Sequence, residues 1–594
     1  FDGRTPYALQ EETARMVEGP GIHVIEAPMG MGKTEAALWA SYRLLAQGRA
    51  DGIFFALPTQ ATSNRMFLRF SDFVRRICPE TAPVQLIHGN SWLQRELRGL
   101  ACPAGEGGKA DACWFNTSRR SLFAPFGVGT ADQAIQAVLA VRHFALRRFA
   151  LAGKVVIVDE VHTYDMYTGT LIRHLCRELE ALGCTVIILS ATLTEKARCA
   201  LLSLPFEEER GDAAYPRISV RAGGGPVEER HPPSLPEKRV RIAHPDRETA
   251  LAKALELACR GAQILWVCNT VARAQEDFAA FRTLASTLSP PPDMGLLHSR
   301  FPFFRREELE RKWMTRLGPD GDRRRGAILV STQIVEQSVD LDADVLFSEL
   351  APADMLLQRM GRLWRHPRKS RPVEEPCFCL LREAEDCARF RQMEAASIRA
   401  VLGEKAFVYD PYVLLRTLEQ WEPLTYLSLP SDIRAVMAAT YEESDVPPGW
   451  ETLYEQAEGG RLAERRLADM ASDIWQESLD DEVILRTRLS GDDALMVLCT
   501  AREGRRLSLL DGSDVFLTAG EDGALETAAK LHRNAVRVPC SRLRAKPHEE
   551  ALAALHLDGC LLTGEADMGL THPAPGITLR WDEELGLVIR KEER

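Results

Sequence analysis

The sequence predicts an α/β protein of two tandem lobes with parallel sheets, followed by a helical linker region and a small mixed C-terminal domain. Three observations carry this reading. Short apolar runs alternate with helical patterns in two separate series. In the first series a glycine-containing turn joins a strand to a helix, and a later strand, K-V-V-I-V-D-E-V-H from Lys154 to His162, ends in two adjacent acids. Such a strand delivers carboxylates to the carboxyl edge of a parallel sheet, where ligands bind.

The first series comprises Ile22 to Ile25, Ile53 to Leu57, Val155 to Val158 and Val186 to Leu189. From Gly223 to Pro236, three consecutive glycines and four prolines predict a linker, which puts the first lobe at residues 1–222. The second series, Ile264 to Val267, Gly295 to Leu297, Ala327 to Val330, Val345 to Phe347 and Cys377 to Leu381, defines a lobe over 223–400. Residues 401–482 read as helical with polar interruptions. Short β-like runs rich in turn residues then predict an accessory domain over 483–594.

Composition narrows the function classes. A chain of 594 residues is too long for one core and suits three to four domains of ~150 residues. Net charge of −11 and a pI near 5.8 exclude a generally basic coat, so any nucleic-acid contact must be a local track. The fourteen cysteines form no C-x-x-C pair, which argues against a zinc site and for reduced thiols in a cytoplasm. No apolar run approaches the ~20 residues that a bilayer requires, so no membrane association is expected.

The turn itself reads I-E-A-P-M-G-M-G-K-T and leads into E-A-A-L-W-A-S-Y-R-L-L. The backbone of Ala27, Pro28, Met29, Gly30, Met31 and Gly32 is suited to cradling phosphates. Lys33 would reach the outer phosphates and the Thr34 hydroxyl would hold Mg2+. Ala27 stands where a first glycine is usual, a change that costs little if the position does not need positive φ. Asp159 would hold the same magnesium, directly or through water, and Glu160 would polarise the attacking water. Either motif alone is weak, because acids after strands are common; together they predict nucleotide hydrolysis.

A two-lobed hydrolase also needs groups from its second lobe. Q-R-M-G-R-L-W-R, from Gln358 to Arg365, offers them: read as one helix begun by Gln358 and Arg359, it places Arg362 and Arg365 three apart on one face, as arginine fingers. Ser190-Ala191-Thr192 follows a strand of the first lobe and would couple the acidic strand to a polymer path through Ser190 and Thr192.

With the phosphate loop, D-E-V-H, S-A-T and the arginine segment in place, the chain resembles superfamily two helicases of the DExH type, which implies RecA-like lobes. In that superfamily a glutamine upstream of the loop reads adenine; Gln10 in P-Y-A-L-Q matches, which implies ATP. The stretches A-L-P-T-Q-A-T-S-N-R-M-F (Ala56 to Phe67) and S-T-Q-I-V-E-Q-S-V-D-L-D-A-D-V-L-F-S-E-L-A-P-A-D-M-L-L-Q-R-M-G-R-L-W-R-H (Ser331 to His366) narrow this further. They resemble the helicase part of the CRISPR-associated type I effector helicase-nuclease, over residues 1 to about 390. T-R-L-S-G-D-D, from Thr487 to Asp493, loosely resembles the start of that family's terminal domain.

The resemblance implies a path for single-stranded DNA lined by Thr59, Gln60, Asn64, Thr130, Asn269, Thr270, His298, Arg300 and Thr332. Hydroxyls, amides and a few cations bind sugar and phosphate without reading bases. For each of these residues alone, a strand-end cap or turn is an equally good reading. The resemblance also implies a nucleotide contact from Asp340, and a bridge from His162 to the second lobe that makes hydrolysis sensitive to the polymer. The expected function is an ATP-driven DNA translocase of CRISPR interference, moving 3′ to 5′ after recruitment to an RNA-guided surveillance complex. The alternatives are a general RNA or DNA helicase of the superfamily and a nucleotide-gated nucleic-acid clamp.

The family's nuclease uses histidines and an H-D pair. None of the thirteen histidines here is followed by aspartate, so no nuclease activity is expected of this chain alone. Phe1 in place of methionine fits an HD nuclease removed from the front of the chain or supplied by another polypeptide.

Overall fold

The computed structural model describes residues 5–78, 84–87, 120–141, 143–205, 214–319, 321, 325–337, 340–384, 386–442, 445–473, 487–488, 493–517, 524–563 and 573–591. Ser338 and Val339 of the Ser331 to His366 stretch, Leu489 to Asp492 of T-R-L-S-G-D-D, and the histidines His88 and His572 lie outside them. The chain forms two compact units, Phe1–Lys238 with Ser428–Leu489, and Arg239–Leu427 with Ser490–Arg594.

The first unit is an eight-stranded sheet with strands β1 (Gly21–Glu26), β2 (Ile53–Leu57), β3 (Val84–Ile87), β4 (Phe126–Thr130), β5 (Val155–Val158), β6 (Thr185–Ser190), β7 (Arg217–Ala222) and β8 (Val227–Arg230). Its order is β3-β4-β2-β5-β6-β1-β7-β8. The first six pair in parallel, and β7 and β8 close the edge antiparallel. Alternation along each strand explains the all-apolar runs, because both faces are covered. Val156 and Val158 join one core with helix Met166–Ala181, and Val155 and Ile157 join the other with helices Lys33–Ala46 and Gln60–Ile77.

The glycine-rich stretch expected to be a linker is in part a hairpin. Gly223 and Gly224 adopt positive φ and turn the chain from β7 into β8, so Val227–Arg230 is a strand of the first sheet. Only the prolines beyond it behave as predicted.

The second unit has a seven-stranded sheet of β9 (Lys238–Ala243), β10 (Gln263–Val267), β11 (Asp293–Leu297), β12 (Ala327–Ser331), β13 (Val345–Ser348), β14 (Cys377–Leu380) and β15 (Tyr426–Leu429), in the order β11-β12-β10-β13-β14-β9-β15. All pairings from β11 through β9 are parallel. The C-terminal residues add β16 (Asp493–Glu503), β17 (Arg506–Leu509), β18 (Asp514–Phe516), β19 (Ala535–Pro539) and β20 (Gly559–Leu562) in one sheet. A hairpin of β21 (Ile577–Asp582) and β22 (Gly586–Lys591) follows. Trp581 and Leu585 of this hairpin pack against the core of the seven-stranded sheet. The tandem α/β architecture read from the sequence is therefore present. Among the described residues no helix is long and apolar enough to cross a membrane.

Candidate functional site

In the first unit, β5, β6 and β1 lie side by side and parallel, so everything that follows them emerges at one edge of the sheet. The turn after β1 places its positive φ angles at Gly30 and Gly32 (88° and 71°), and Ala27 has none, so the missing first glycine costs no strain. Helix Lys33–Ala46 starts at once after Gly32, so its N-terminus adjoins the turn with no side-chain cap in the way. Lys33 Nζ donates to Ala27 O (2.6 Å) and Pro28 O (3.4 Å), which puts its charge inside the loop. Gln10 is buried against the same loop: its Nε2 donates to Gly32 O at 3.3 Å and its Oε1 accepts from Tyr7 N at 2.9 Å. Side chain and loop share a wall so close that a Cβ on Gly32 would overlap Gln10 Nε2.

Asp159 follows β5, with its amide bonded to Ala56 O of β2 and its Oδ1 accepting from Glu160 N. Burial, and after it the Glu160 carboxylate, push the Asp159 carboxyl up to about 7 against the pull of Lys33 and Arg69. A divalent cation is the charge that such a site is built to receive, so the donor set fits magnesium. Glu160 takes left-handed φ of 52°, which turns it out of the strand line and into the short helical turn Val161–Thr163.

From Glu160 a chain of polar contacts runs to the next strand. His162 Nε2 lies 3.3 Å from Glu160 Oε2, and His162 Nδ1 shares a hydrogen bond of 2.8 Å with Ser190 Oγ. Ser190 Oγ also accepts from Thr192 N (3.3 Å), and Ser190 O accepts from Ala27 N (3.2 Å). Ser190, fully buried, therefore touches the acidic motif, the S-A-T turn and the start of the phosphate loop at once.

Two first-unit residues escaped sequence reasoning. Arg69, on helix Gln60–Ile77, pairs with Glu35 of the phosphate-loop helix, and its charge reaches Asp159. Arg488 grips Asp132 with two hydrogen bonds of 3.0 Å and also bonds Pro58 O. Both contacts join segments distant in sequence, so no spacing announces them. Thr59 caps helix Gln60–Ile77, accepting from Thr62 N at 3.2 Å. Thr130 is buried at the start of helix Ala131–Ile135, opposite Leu57 in register, while Gln60 and Asn64 are half-buried on the neighbouring helix.

The second unit corrects several expectations. Helix Ala353–Met360 ends at Gly361, so Gln358 and Arg359 close it, and Arg362 and Arg365 do not share its face. Gly361 stops the helix, Leu363 bridges to Ala343, and Trp364 at φ 46° reverses the chain. Arg362 turns inward, donating to Val335 O (3.0 Å) and Glu336 O. Arg365 stays partly exposed (27% of its side chain) and pairs with Asp340 at 2.6 Å; His366 lies 3.0 Å from the same carboxylate. Asp340 is thus an ion-pair partner of Arg365. Gln358 is buried, and its Nε2 has no hydrogen-bond partner among the described residues.

Arg359, absent from the expected site, is a buried hub. It bonds Glu336 (2.7 Å), Ser348 Oγ (2.8 Å), Asn269 Oδ1 (3.1 Å) and the Tyr409 hydroxyl (3.3 Å). Asn269 also donates Nδ2 to Leu350 O (2.7 Å), so both ends of its buried amide are engaged within the fold. His298 is likewise engaged within the fold. It is fully buried, its Nε2 bonded to Leu585 O of the C-terminal hairpin (2.9 Å), Nδ1 accepting from Arg300 N (3.2 Å), and its ring stacked on Phe301. Burial lowers its pKa to about 3, so it is neutral. Thr270 caps helix Val271–Ala285, and Thr332 is buried just beyond β12. Arg300 is half-buried, and its Nη1 has no hydrogen-bond partner among the described residues.

Comparison with known proteins agrees with this geometry. Residues 7–199 match the DEAD/DEAH box helicase family, and residues 260–368 match "CRISPR-associated nuclease/helicase Cas3, C-terminal". The CRISPR-associated endonuclease/helicase Cas3 of Thermus thermophilus is 34% identical over 93% of this chain, which spans 61% of that relative's length. The Escherichia coli protein of the same name is 32% identical over 97% of this chain and 67% of its own. The T. fusca Cas3–AMPPNP crystal structure superposes with a TM-score of 0.82 at 28% identity, over 98% of this chain and 71% of that one. A chain of a CRISPR RNA-guided surveillance complex, pre-nicking, gives 0.74 at 27% identity, over 98% and 70%. The chain belongs to the Cas3 family of CRISPR-associated nuclease/helicases.

Proposed function

We propose that this chain is an ATP-dependent translocase on single-stranded DNA that unwinds target DNA, 3′ to 5′, after recruitment to an RNA-guided CRISPR surveillance complex. The observation that carries the reading is the continuous contact from Glu160 through His162 and Ser190 to Thr192 and Ala27. A nucleotide hydrolase needs the phosphate loop and the acids; only one that answers to a second ligand needs them wired to the S-A-T turn. The complexes solved for relatives, with AMPPNP and in a surveillance assembly, support the nucleotide and the partner.

In this reading the loop amides and Lys33 hold the phosphates, and Gln10, fixed against Gly32, reads the base. Thr34 and Asp159 would hold Mg2+, which when bound neutralises charge on the phosphate oxygens. Glu160 orients the attacking water, and its position follows that of His162. Arg365, with its partial exposure, is a better transition-state charge than the buried Arg362. Thr59, Gln60, Asn64 and Thr130, grouped by the adjacency of β2 and β4, are the stronger part of the DNA path.

The test is ATP turnover without polymer, with poly-dT and with poly-U, for the wild type and Glu160→Gln. Stimulation by poly-dT above poly-U, lost in the variant while ATP binding persists, is expected. Equal or absent stimulation would remove the DNA reading, and wild-type turnover by the variant would remove Glu160 from the chemistry.

A further inference from the structure

The stretch Ser428–Leu489 follows the second unit in sequence but belongs to the first. Its helix Ile433–Tyr441 carries Arg434, whose side chain reaches the residue just after Ser190-Ala191-Thr192. Arg434 Nη1 donates to Leu193 O at 2.8 Å and lies 3.4 Å from Glu26 Oε1, and Nη2 pairs with Glu195. Glu26 is the last residue of β1, immediately before the phosphate loop, and is fully buried. Glu195 opens helix Glu195–Leu201, and its amide bonds Glu442 of the same returning stretch.

The two carboxylates differ in their need for Arg434. Glu195 also has Arg198 and Arg217 (3.1 Å), which outweigh its burial and hold its pKa below the usual range. Besides Arg434, Glu26 feels only the charges of Arg217, across the β1–β7 pairing, and of Arg198 at 3.8 Å; its Oε2 lacks a hydrogen-bond partner among the described residues, and burial raises its pKa against the pull of all three arginines. Arg434 is thus a main counter-charge at the root of the phosphate loop. The S-A-T turn is meanwhile held by its carbonyls: Tyr215 OH bonds Ala191 O at 2.6 Å, and Arg434 bonds Leu193 O. A buried ion cluster of this kind adds little stability that apolar packing could not match, but it fixes geometry in one arrangement.

We propose that Arg434 is a positioning residue that, by joining Leu193 O to Glu26, fixes the turn carrying Ser190 and Thr192 and so sets how strongly single-stranded DNA accelerates ATP hydrolysis. This rests on the reading of the His162–Ser190 contact given above. The guanidinium fork meets a carbonyl and two carboxylates together, which an ammonium cannot reproduce.

The test compares wild type, Arg434→Gln and Arg434→Lys by hydrogen exchange, by melting temperature and by ATP turnover with and without poly-dT. In Arg434→Gln, amides of residues 191–195 should exchange about tenfold faster, with those of β5 unchanged, as expected for a local opening. Poly-dT stimulation should fall about tenfold with little change in the KM for ATP, and Arg434→Lys should recover only part of it. Unchanged exchange at 191–195, or faster exchange throughout the first unit with a parallel loss of all turnover, would overturn the proposal. If the wild type is not stimulated by DNA, the functional reading fails, and the exchange result still decides whether Arg434 positions the turn.

Discussion

Replacing Ser190 by alanine isolates the contact on which the functional reading depends. The residue is fully buried, and its hydroxyl meets His162 Nδ1 at 2.8 Å and Thr192 N at 3.3 Å. Removing it leaves two polar groups without that partner. Each buried orphan costs ~1–3 kcal/mol, with the long bond to Thr192 at the low end, so ~2–4 kcal/mol is expected. With an unfolding entropy of ~2.1 cal/mol/K per residue, a unit built from Phe1–Lys238 and Ser428–Leu489 should melt ~3–6 °C lower. The functional effect is separable from that loss. If about 1.4 kcal/mol of the contact reaches Glu160 through His162, poly-dT stimulation of ATP turnover falls about tenfold. Turnover without DNA should change much less, because Lys33, Asp159 and Glu160 keep their places. The assay is steady-state ATP hydrolysis across a poly-dT titration, with DNA affinity measured separately by anisotropy. Ser190→Cys, close in volume but a poor hydrogen-bond partner, should behave like alanine. A full stimulation ratio in Ser190→Ala at saturating DNA would refute the coupling argument.

Three further outcomes follow from single contacts. Gly32→Ala places a side chain at φ 71° and against Gln10 Nε2; the backbone strain of ~1–2 kcal/mol and the displaced glutamine should weaken ATP binding about tenfold and narrow the preference for ATP over GTP, read by competition binding. Arg365→Ala should lower kcat by ~10³ with DNA affinity retained, whereas Arg362→Ala, which strips donors from Val335 O and Glu336 O, should lower the melting temperature of the second unit; the reverse pattern would exchange their roles. His298, with a folded pKa of about 3 against 6.5 unfolded, lets the unfolded chain bind the extra proton between those values. Its stability contribution is present above pH 6.5 and is lost as pH falls towards 3, ~2 kcal/mol by pH 5. Urea unfolding of His298→Asn should show a correspondingly flatter pH profile, and parallel profiles would contradict the burial argument.

What was legible in the sequence was what the chain encodes locally. All nine apolar runs read as strands are strands, since a strand buried on both faces must be apolar throughout. The phosphate loop and acidic strand were legible because strand, turn and helix are consecutive there. The missed strands announce themselves less. Phe126–Thr130 carries two glycines, Lys238–Ala243 alternates charge with apolar residues, and Val227–Arg230 is an edge strand after a run of glycines.

The arginine segment shows where local reading fails. Gln358 to Arg365 has helical spacing, but Gly361 and the left-handed Trp364 divide it, and the distant partners Val335, Glu336 and Asp340 decide where Arg362 and Arg365 go. Polar residues at strand ends are ambiguous for the same reason. Asn269 and His298 have the chemistry of a sugar-phosphate contact, yet the fold spends that chemistry on Arg359 and on the C-terminal hairpin. The reverse error hides Arg69, Arg434 and Arg488, whose partners Glu35, Glu26 and Asp132 lie far away in sequence. Each of these arginines meets the first unit at the carboxyl edge of its sheet or on the helix leaving the phosphate loop. The acids and loop that do the chemistry are local features of the chain, while the arginines that surround them come from segments distant in sequence from their partners. Perturbing the returning segment that carries Arg434 should therefore alter coupling before it alters nucleotide binding.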